Sequence, residues 1–447
     1  MARQTIYALS SGHGRAGVAV IRVSGPGAGT ALDLLAPPRP RPRFAALRTV
    51  RGATGEVLDQ GLALWFPAPR SETGEDMAEL QVHGGRAVIA AVLGTLGAIN
   101  GFRLAEPGEF TRRAFENGKI DLTAAEAIAD LVDADTAAQR RQALRQAGGS
   151  LARLYDAWRD ELVRAQALTE SAIDFSDEAD VSAQACAEAR ELVQRLVPKM
   201  RAHLDDGRRG EILRAGFRVA IAGPPNAGKS SLLNALARRE AAIVSEEAGT
   251  TRDIIEVTLD LDDVPVILSD TAGIRAAEGK VEREGIRRAV AHARAADLVV
   301  WLMDGAASGP EPAPAELAAE PGRLLTVLNK VDLLDGWSPG PGTAAQGVLG
   351  ISVHTGAGLP QLTDAIARRA AAQAGASEAP VITQARHRQQ LEACAEALEG
   401  YLSGRPEEVE LRAEDLRRAA TALGRITGRV DVEDVLEATF SRFCIGK

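Results

Sequence analysis

Apolar residues are spaced differently in three parts of the chain, and each spacing predicts a different kind of element. Near the N-terminus, short β-type runs such as Gly17–Gly25 and Leu62–Pro69 are bounded by turn residues, which is typical of strands. The proline-rich stretch Pro37–Phe44 between them is expected to be an exposed connection. Further on, four apolar runs of buried-strand length each precede a helical or loop stretch, which predicts a parallel α/β sheet. These runs are RVAIAG, PVILSD, DLVVWLMD and RLLTVLNK, within residues 216–374.

Two further segments are rich in alanine and carry apolar residues three or four positions apart, the spacing of helices with one buried face. The first begins near Leu122, where Thr123 followed by Glu126 predicts a capping-box start. The second covers residues 385–447, where Asp431 is expected to cap a last amphipathic helix. Because the helical segments flank the α/β segment, we expect the middle to be an insertion into one helical domain.

The length supports this division, since 447 residues are too many for one core and suggest two or three domains. The glycine- and proline-rich stretches 305–322 and 336–345 are expected to be loops within the insertion. We expect an N-terminal α+β module, a first helical part, the inserted α/β domain and a second helical part, over residues 1–118, 119–215, 216–374 and 375–447.

Charge and cysteine content limit the partners and the compartment. The net charge of −9 excludes a chain-wide positive field, so an RNA partner must be held by a local patch or a specific pocket. Cys186, Cys394 and Cys444 lie far apart, which argues against a disulfide framework or a zinc site and fits a reducing cytoplasm. No signal-peptide pattern and no run of about 18 apolar residues is present, so a cytoplasmic protein without membrane contact is expected.

The segment Gly223–Ser230, GPPNAGKS, fits the phosphate-binding pattern G-x-x-x-x-G-K-[ST]. It follows the apolar run RVAIAG and precedes a helical stretch, which is the context that the motif requires. Backbone N–H groups of the loop and the helix N-terminus would face phosphate oxygens. Lys229 would reach the β- and γ-phosphates, a catalytic as well as a binding position, and Ser230 would place its hydroxyl on Mg²⁺.

Two further strand ends carry nucleotide chemistry. Asp270 begins DTAG and can hold Mg²⁺ through water, while the N–H of Gly273 would face the γ-phosphate. In NKVD, the carboxylate of Asp332 can accept both the N1–H and the N2 amine of guanine, neither of which adenine offers. Asn329 is expected to read the O6/N7 side of the base, and Lys330 to lie along it. Together these motifs predict GTP as the nucleotide.

A switch segment is expected at Ser245–Asp253, between the phosphate-loop helix and the next strand. Thr251 can ligate Mg²⁺ while GTP is bound and release it after hydrolysis. Ras-like proteins carry a glutamine directly after the third motif to orient the attacking water, but here Gly273 is followed by Ile274. An apolar side chain cannot orient water, so this polar group must come from elsewhere.

At this point the sequence resembles the MnmE or TrmE family of tRNA modification GTPases over essentially the whole chain. The matching stretches are GVAVIRVSG, TGEDMAELQVHGG, EPGEFTRRAFENGKIDL, AEAIADLVDADT, AGPPNAGKSSLLNALARREAAIVSEEAGTTRD, DTAGIR and the terminal FCIGK. The resemblance implies a tetrahydrofolate-binding N-terminal domain, a helical domain and a Ras-like P-loop G domain inserted into it. The expected fold class is therefore α/β plus helical.

The resemblance also implies that G domains pair and that a bound K⁺ takes the place of an arginine finger. The residues expected to bind this K⁺ are Asn226 and the switch residues Ser245, Glu247 and Thr250. Glu282 matches the residue that orients the attacking water, although from the sequence alone it reads as a solvated helix carboxylate. The GTP-binding set is Asn226, Ala227, Gly228, Lys229, Ser230, Ser231, Ser245, Glu246, Glu247, Ala248, Gly249, Thr250, Thr251, Asp270, Thr271, Ala272, Gly273, Asn329, Lys330, Val331, Asp332, Ser352, Val353 and His354.

One position departs from the family pattern, in which the last nucleotide motif is usually Ser-Ala-x. Here the motif is Ser352-Val353-His354. Backbone N–H contacts to guanine O6 could persist with Val353, but the larger side chain predicts a weaker affinity for the base.

For folate, the resemblance places Arg22, Glu79, Lys119 and Lys447 in contact with a 5-formyl- or 5,10-methylene-tetrahydrofolate between paired N-terminal domains. A pterin has an amidine-like edge that a carboxylate can accept, and the glutamate tail of folate carries carboxylates that Arg or Lys can pair. Read without the family, each of these residues is an ordinary surface charge.

The terminal Cys444-Ile-Gly-Lys has the spacing of a prenylation box, but its glycine, its final lysine and the lack of a preceding polybasic run argue against lipidation. By resemblance, Cys444 lies close to bound folate. A reactive thiol with a lowered pKa and a packing role remain open alternatives.

The resemblance implies a K⁺-dependent GTPase homodimer that acts on C5 of the tRNA wobble uridine with an FAD-containing partner of the MnmG/GidA type. The group added is of the carboxymethylaminomethyl or aminomethyl kind. This chain shows no Rossmann glycine pattern in a βαβ unit, which agrees with flavin being carried by the partner. A ribosome-assembly GTPase and a GTP-controlled scaffold are the alternatives.

Overall fold

The computed structural model describes the chain with the exception of several short stretches. The described residues are 3–12, 14–175, 179–239, 256–270, 294–307, 309, 311–318, 322–334, 348–375, 380–430, 433–441, 443 and 445–446. Two compact units are formed, each from segments that are separate in sequence. The first comprises Met1–Ala129, Gln146–Gln166 and Leu416–Lys447, and the second comprises Asp130–Arg145 and Ala167–Asp415. None of the helices in the described part of the chain has the length and apolar character needed to cross a membrane.

The first unit contains a six-stranded sheet in the order β3-β4-β5-β2-β1-β6. Neighbouring strands are antiparallel except for β1 and β6, which are parallel. The predicted strand at Gly17–Gly25 is confirmed as β2, whereas the run from Leu62 forms only the second half of β4. The strands are Thr5–Leu9 (β1), Ala16–Ser24 (β2), Ala46–Arg51 (β3), Val57–Phe66 (β4), Met77–Gly84 (β5) and Phe102–Leu104 (β6).

The two faces of this sheet have different coverings because side chains alternate along each strand. Ile21 and Leu80 belong to the core shared with helices α1 (Ala28–Leu35) and α2 (Arg86–Gly97). The intervening Arg22 and Glu79 therefore point to the opposite face. There, Phe110 of α3 (Glu109–Glu116) is fully buried in a small cluster with Ile6 and Ala8 of β1.

Helix α4 (Leu122–Val132) begins near the expected position but is capped by a different residue from the one predicted. Asp121 Oδ1 accepts hydrogen bonds from the backbone N–H groups of Thr123 and Ala124, at 2.8 and 3.1 Å, and from the Thr123 hydroxyl, at 2.5 Å. The capping-box expectation for Thr123 is therefore wrong, since that residue lies inside the helix. The carboxylate of Asp121, two residues earlier, accepts several orphan donors and also faces the positive end of the helix.

The C-terminal end of the chain docks on the N-terminal module within this unit. Three helices, α5 (Ala137–Ala147), α6 (Ser150–Asp174) and α13 (Val409–Thr427), contribute residues to both units. The last helix is α14 (Glu433–Phe440), whose Leu436 and Phe440 pack with Leu122. This agrees with the expected last amphipathic helix, while its predicted cap, Asp431, lies outside the described residues.

Beyond this last helix, Ile445 forms a bridge with Pro107, and the Ser10 hydroxyl donates to the carbonyl of Gly446 at 2.8 Å. Gly446 has φ +102°, and a Cβ there would lie 2.2 Å from the carbonyl oxygen of Leu9. Only glycine can therefore bring the tail this close to β1.

The second unit contains a six-stranded sheet in the order β12-β11-β10-β7-β9-β8. The four predicted strands are confirmed as β7, β9, β10 and β11, and they are mutually parallel. The expectation of a wholly parallel sheet is wrong at one edge, because β8 runs antiparallel to β9. The connecting residues Asp262 and Asp263 both have positive φ, as in the tight two-residue turns that join antiparallel strands. The strands are Phe217–Ala222 (β7), Glu256–Leu261 (β8), Val264–Asp270 (β9), Leu298–Asp304 (β10), Leu324–Asn329 (β11) and Val348–Gly350 (β12).

Helices on both faces bury this sheet, as the apolar character of its strands requires. Leu232 of α9 (Lys229–Arg239) and Leu362 of α11 (Leu359–Ala374) enter the main core cluster. The stretch 305–322 was expected to be a loop, but it contains the single-turn helix α10 (Ala315–Ala318). Leu317 of this turn is buried in a second hydrophobic core cluster, which stabilises the turn. The remaining helices of this unit are α7 (Ala179–Leu204), α8 (Arg209–Ala215) and α12 (Ala385–Ser403).

A buried group of charges fixes α3 to the loop that precedes β5. The Arg113 side chain is 3% exposed and donates to Glu109 and to Glu75, each at 2.9 Å. Burial acts to raise the pKa of Glu109, but hydrogen bonds from Arg103, the Glu106 backbone and Arg113 outweigh it, so the pKa of Glu109 is lowered. Arg103 and Arg113 thus both stabilise the charged form of Glu109.

Replacement of Arg113 by alanine should therefore destabilise the first unit by about 3 kcal/mol, since it removes the buried guanidinium that joins Glu75 to Glu109 and leaves Glu109 with Arg103 as its remaining cationic partner. Arg112→Ala is the matched control, because Arg112 pairs with Glu116 at the surface and should contribute no more than about 1 kcal/mol. Urea denaturation followed by tryptophan fluorescence measures both.

The Arg113→Ala defect should also depend on pH. The pKa of Glu109 is lower in the folded than in the unfolded protein, so ionised Glu109 stabilises the fold fully above about pH 4.3, the pKa of an unfolded glutamate. This stabilisation is lost as the pH falls through the pKa of Glu109 in the folded state. The difference between wild type and Arg113→Ala should shrink accordingly in acid. Equal losses in the Arg112 and Arg113 variants at neutral pH would contradict this account.

Candidate functional site

The predicted phosphate-binding loop lies between the end of β7 and the start of α9, at the carboxyl edge of the parallel strands. Both of its motif glycines are required by close contacts. Gly223 has φ +151°, and a Cβ there would lie 2.2 Å from the carbonyl oxygen of Leu302 on β10. Gly228 has φ +98°, and its Cβ would lie 2.5 Å from the Asn329 amide nitrogen. The glycines thus let the loop lie directly against its neighbours.

Lys229 lies within this loop and is half-buried. Its Nζ donates to the carbonyl oxygens of Gly223, at 2.9 Å, and Pro224, at 2.8 Å. Burial lowers the pKa of Lys229, and the nearby charge of Asp270 only partly offsets this. An ammonium that has lost part of its hydration gains strongly from an adjacent polyanion, because fewer water molecules screen the attraction.

Ser230 and Asp270 bring two hard oxygen ligands together at the start of α9 and the end of β9. The Ser230 hydroxyl donates to Asp270 Oδ2, and Asp270 is only 2% exposed. Hydroxyl and carboxylate oxygens are the donors that Mg²⁺ prefers in proteins. The pair therefore fits the Mg²⁺ position expected from the motifs.

Asn329, at the end of β11, connects three of the predicted nucleotide segments. Its side-chain amide is buried and donates from Nδ2 to the carbonyl of Ala227 in the phosphate loop, at 2.8 Å. Its Oδ1 accepts the backbone N–H of Val353 at 3.2 Å. In the structure this amide holds the phosphate loop and the Ser352–His354 loop at a fixed separation, and the expectation that it also reads the O6/N7 side of the base stays a prediction.

The Val353 side chain, larger than the alanine usual in the family pattern, packs against the core of this unit. Ser352 is fully buried, and its Oγ accepts the backbone N–H of Thr355 at 3.1 Å. His354 is exposed. The extra methyl groups of Val353 are thus accommodated within the loop.

The rest of NKVD presents two charges at the same edge of the sheet. Lys330 has φ +62°, and its Nζ contacts Asp304 Oδ2 at 2.6 Å; this hydrogen bond lowers the pKa of Asp304. Asp332 lies on the exposed side of a single helical turn, Val331–Leu333, while Val331 is buried and anchors it. The Asp332 carboxylate is therefore available at the surface, as recognition of a base edge requires.

Asn226 lies at the exposed tip of the phosphate loop with φ +64°, a conformation that asparagine tolerates better than most residues. Ala227 is buried beneath it, and Ser231 continues the helix start. Several predicted site residues lie outside the described part of the chain and stay predictions: Ser245, Glu246, Glu247, Ala248, Gly249, Thr250, Thr251, Thr271, Ala272, Gly273, Glu282, Cys444 and Lys447.

A second group of charged side chains lies on the face of the N-terminal sheet against which Phe110 of α3 packs. Arg22 and Glu79 are directly opposite each other on β2 and β5, and both Nε and Nη2 of Arg22 contact Glu79 Oε1 at 3.1 Å. The guanidinium also lies 5.8 Å from the ring centre of Phe110. Lys119 donates to the carbonyl of Pro69 at 3.1 Å. Arg22 and Glu79 are thus brought together, with Lys119 beside the loop that leads into β5.

Glu72, on that same loop, was missed by the sequence analysis. Its Oε2 contacts Arg22 Nη1 at 2.8 Å. The only signal in the sequence was its position just before the TGED stretch, which carries no information about the partner of its side chain.

Comparison with known proteins assigns the family. Residues 5–119 match the family model described as the N-terminus of the GTP-binding protein TrmE, and residues 122–444 match the MnmE helical domain. These matches confirm the expected fold class.

Three curated relatives, each named tRNA modification GTPase MnmE, match over almost the whole length. The relative from Parvibaculum lavamentivorans is 56% identical and covers 99% of this chain and 100% of its own. The relative from Paramagnetospirillum magneticum is 53% identical, and the match covers 99% of this chain and 100% of the relative. The relative from Maricaulis maris is 52% identical, and the match covers 99% of each chain. The chain therefore belongs to the MnmE (TrmE) family of tRNA modification GTPases.

Proposed function

We propose that this protein is a K⁺-dependent GTPase that modifies C5 of the tRNA wobble uridine together with an FAD-containing partner of the MnmG/GidA type. The one-carbon unit would come from 5-formyl- or 5,10-methylene-tetrahydrofolate. The observation that carries the GTPase part is the buried Asn329 amide, which joins the phosphate loop to the loop carrying Val353. This connection supports a single nucleotide site built from motifs that are distant in sequence.

In this proposal the nucleotide is held by the loop N–H groups, by Lys229 and by the exposed carboxylate of Asp332. Ser230 would ligate Mg²⁺, with Asp270 acting through water and Thr251 completing the set when GTP is bound. When bound, Mg²⁺ neutralises phosphate charge. The Ser230–Asp270 pair supports this role because the hydroxyl and the carboxylate meet at the start of the helix that the phosphates would face.

The chain's own residues must also replace the missing glutamine that orients water in Ras-like proteins. We assign that role to Glu282 and the K⁺-binding role to Asn226, Ser245, Glu247 and Thr250. Bound K⁺ would supply the positive charge that an arginine finger provides elsewhere. The exposed position of Asn226 at the loop tip supports a contact outside the phosphate cradle. G-domain pairing under GTP and K⁺ would complete the site.

Folate would bind at the N-terminal sheet through Arg22, Glu79, Lys119 and Lys447. The carboxylate of Glu79, held by Arg22, suits the amidine-like edge of a pterin, and the two lysines suit the carboxylates of the glutamate tail. Gly446 docks against the backbone of Leu9 on β1. The preceding residue of that strand, Ala8, pairs with Arg22 on β2. The tail therefore reaches the strand position next to Arg22, which supports the role of Lys447. Whether Cys444 acts by chemistry or by packing stays open in this proposal.

We further propose that the polypeptide works as a cytoplasmic homodimer joined through its N-terminal domains. The proposed domain limits are residues 1–118, 119–215, 216–374 and 375–447. Hydrolysis in the G domain would then be coupled to tRNA modification by movement of whole domains.

In cells of the source organism that lack this protein, wobble uridine should lose its C5 aminomethyl-type group. Mass spectrometry of nucleosides from purified tRNA measures this, and return of the wild-type gene should restore the modification. Normal modification in the deletion strain would contradict the proposal, and a defect confined to ribosomal subunits would favour a ribosome-assembly GTPase.

GTP hydrolysis should be faster in K⁺ than in Na⁺ at matched ionic strength, by about tenfold or more, because the developing phosphate charge would lack a partner in Na⁺. Asn226→Gly should remove most of this difference while GDP affinity is retained. Glycine is the appropriate replacement, since Asn226 has φ +64° and alanine would add about 1–2 kcal/mol of strain. Equal rates in the two salts would exclude the cation from the mechanism.

Asp332→Asn should change the base selectivity of nucleotide binding from guanine to xanthine. The amide can no longer accept two guanine donors, but its NH₂ can donate to the O2 of xanthine. GTP affinity should fall by about a hundredfold or more, and XTP should bind in preference. Competition against a fluorescent guanine nucleotide measures both affinities. Glu316→Gln, which removes an exposed carboxylate from α10, is the control and should change neither.

A further inference from the structure

A strongly basic stretch of the chain leads from α1 into β3. Residues 37–51 contain five arginines and no aspartate, glutamate or lysine, although the whole chain has a net charge of −9. The fold brings four of these arginines near another that follows β4, and we call this group the arginine cluster. Its members are Arg39, Arg41, Arg43, Arg48 and Arg70.

Trp65, near the end of β4, is the residue around which the cluster is assembled. The guanidinium of Arg39 lies 5.0 Å from a ring centre of Trp65, and the backbone N–H of Arg43 donates to the Trp65 carbonyl at 2.8 Å. The guanidinium of Arg43 in turn donates to the carbonyl of Arg70. Side chains from separate parts of the chain therefore meet at one end of the N-terminal sheet.

The guanidiniums of the cluster are held mainly by neutral groups. Nε of Arg48 donates to the carbonyl of Pro38 at 2.8 Å, and Arg43 is likewise held by a carbonyl. Among the described residues, the ion pairs of the cluster are confined to that of Arg39 with Asp33. A carbonyl fixes a guanidinium without cancelling its charge, and most of the five N–H donors stay free. The cluster is thus ordered and strongly positive.

The connection that carries most of the cluster is stiff. Prolines alternate with arginines over residues 38–43, and each proline restricts its own φ. Pro40 is buried and anchors the connection, whereas Arg41 and Arg43 on either side of it are exposed. The N–H of Phe44 donates to the carbonyl of Arg41 at 3.1 Å, which closes a turn. A connection that is ordered in advance loses little conformational freedom when it binds a partner.

The chemistry of this surface suits the backbone of an RNA. The planar fork of a guanidinium matches the oxygens of a phosphate, which arginine can bind through two parallel hydrogen bonds. Phe44, whose side chain lies beside the cluster in sequence and is 66% exposed, offers a ring on which an unpaired base can stack. The exposed ring favours RNA over an acidic protein surface, which has no bases. Since the chain as a whole is acidic, RNA needs a local positive surface of this kind.

We propose that the arginine cluster binds the phosphate backbone of tRNA. This inference rests on the proposed function, which makes tRNA the substrate, and it adds a binding surface on this chain. Phosphate contacts position a nucleic acid without reading its sequence, so different tRNAs should bind the cluster about equally well.

The test is a titration of fluorescently labelled tRNA with the intact chain and with its Arg41→Gln/Arg70→Gln variant, followed by anisotropy in about 50 to 200 mM KCl. Both residues are exposed, and within the described part of the chain their side chains make no hydrogen bond or ion pair, so the fold should be retained. At low salt the variant should bind tRNA about tenfold more weakly. Its plot of log K against log[KCl] should be less steep by about 1 to 2, because each lost phosphate contact releases about one counterion fewer.

Two further variants separate the cluster from charge in general. Arg41→Lys/Arg70→Lys keeps both positive charges and should retain most of the affinity and the salt dependence. Arg86→Gln/Arg112→Gln removes two charges from other exposed positions of the same unit and should leave the salt dependence unchanged. An equal loss in this control would make the effect one of overall charge, and the inference would fail.

Unchanged tRNA affinity and salt dependence in the Arg41→Gln/Arg70→Gln variant would also overturn the inference. Thermal unfolding and size-exclusion chromatography of each variant accompany the titration. A change in oligomeric state of the glutamine variant would assign these arginines to an interface between copies of the chain, and would likewise overturn it.

Measurement of the wobble modification in the deletion strain separates this inference from the proposed function. If the modification is lost there but the wild-type chain does not bind tRNA, or binds it independently of the cluster, only the inference fails. If the modification persists while the glutamine variant loses tRNA affinity, the proposed function fails and the cluster stands as an RNA-binding surface.

Discussion

The nucleotide site depends on one buried amide. Asn329 donates to the carbonyl of Ala227 and accepts the N–H of Val353, so the ends of β7 and β11 and the loop after β12 are held together by a side chain that is almost inaccessible to water. A buried amide must be satisfied on both sides, and replacing it would leave backbone groups unpaired. Gly228 completes the constraint, because any side chain there would collide with this amide. The phosphate loop and the loop that carries Val353 are therefore held at a fixed separation by the fold itself.

Ion pairs position the side chains around Arg22 and Glu79 on the N-terminal sheet. A buried group around Arg113 fixes the loop that carries Glu72, while strand register places Glu79 opposite Arg22. The same face of the sheet receives the C-terminal tail, because Gly446 can approach the backbone of Leu9 where no other residue could. Ion pairs that are fixed by packing thus lie next to the half-exposed contact between Arg22 and Glu72.

The sequence predicted much of the architecture because period and motif are local properties. Four of the five parallel strands that the structure describes in the second unit were recognised from their apolar runs, and the phosphate loop from the positions of its glycines and lysine. The edge strand β8 was missed because its pattern is only partly apolar and its direction depends on the turn at Asp262. Thr123 was misassigned as a cap because Asp121 offers an equivalent oxygen two residues earlier, and sequence patterns do not rank such neighbours.

For the candidate sites, the sequence by itself determined which chemical groups are present. A glycine-rich loop with Lys229, a strand-end Asp270 and the NKVD motif specify phosphate, Mg²⁺ and guanine chemistry through their residue types and spacing. Only the tertiary structure decided how these groups are used. It gave the Asn329 amide a supporting role between loops, and it brought Glu72 to Arg22 across fifty residues of sequence. Such pairings depend on strand register and loop packing, which arise from contacts distant in the chain and leave no local pattern to read.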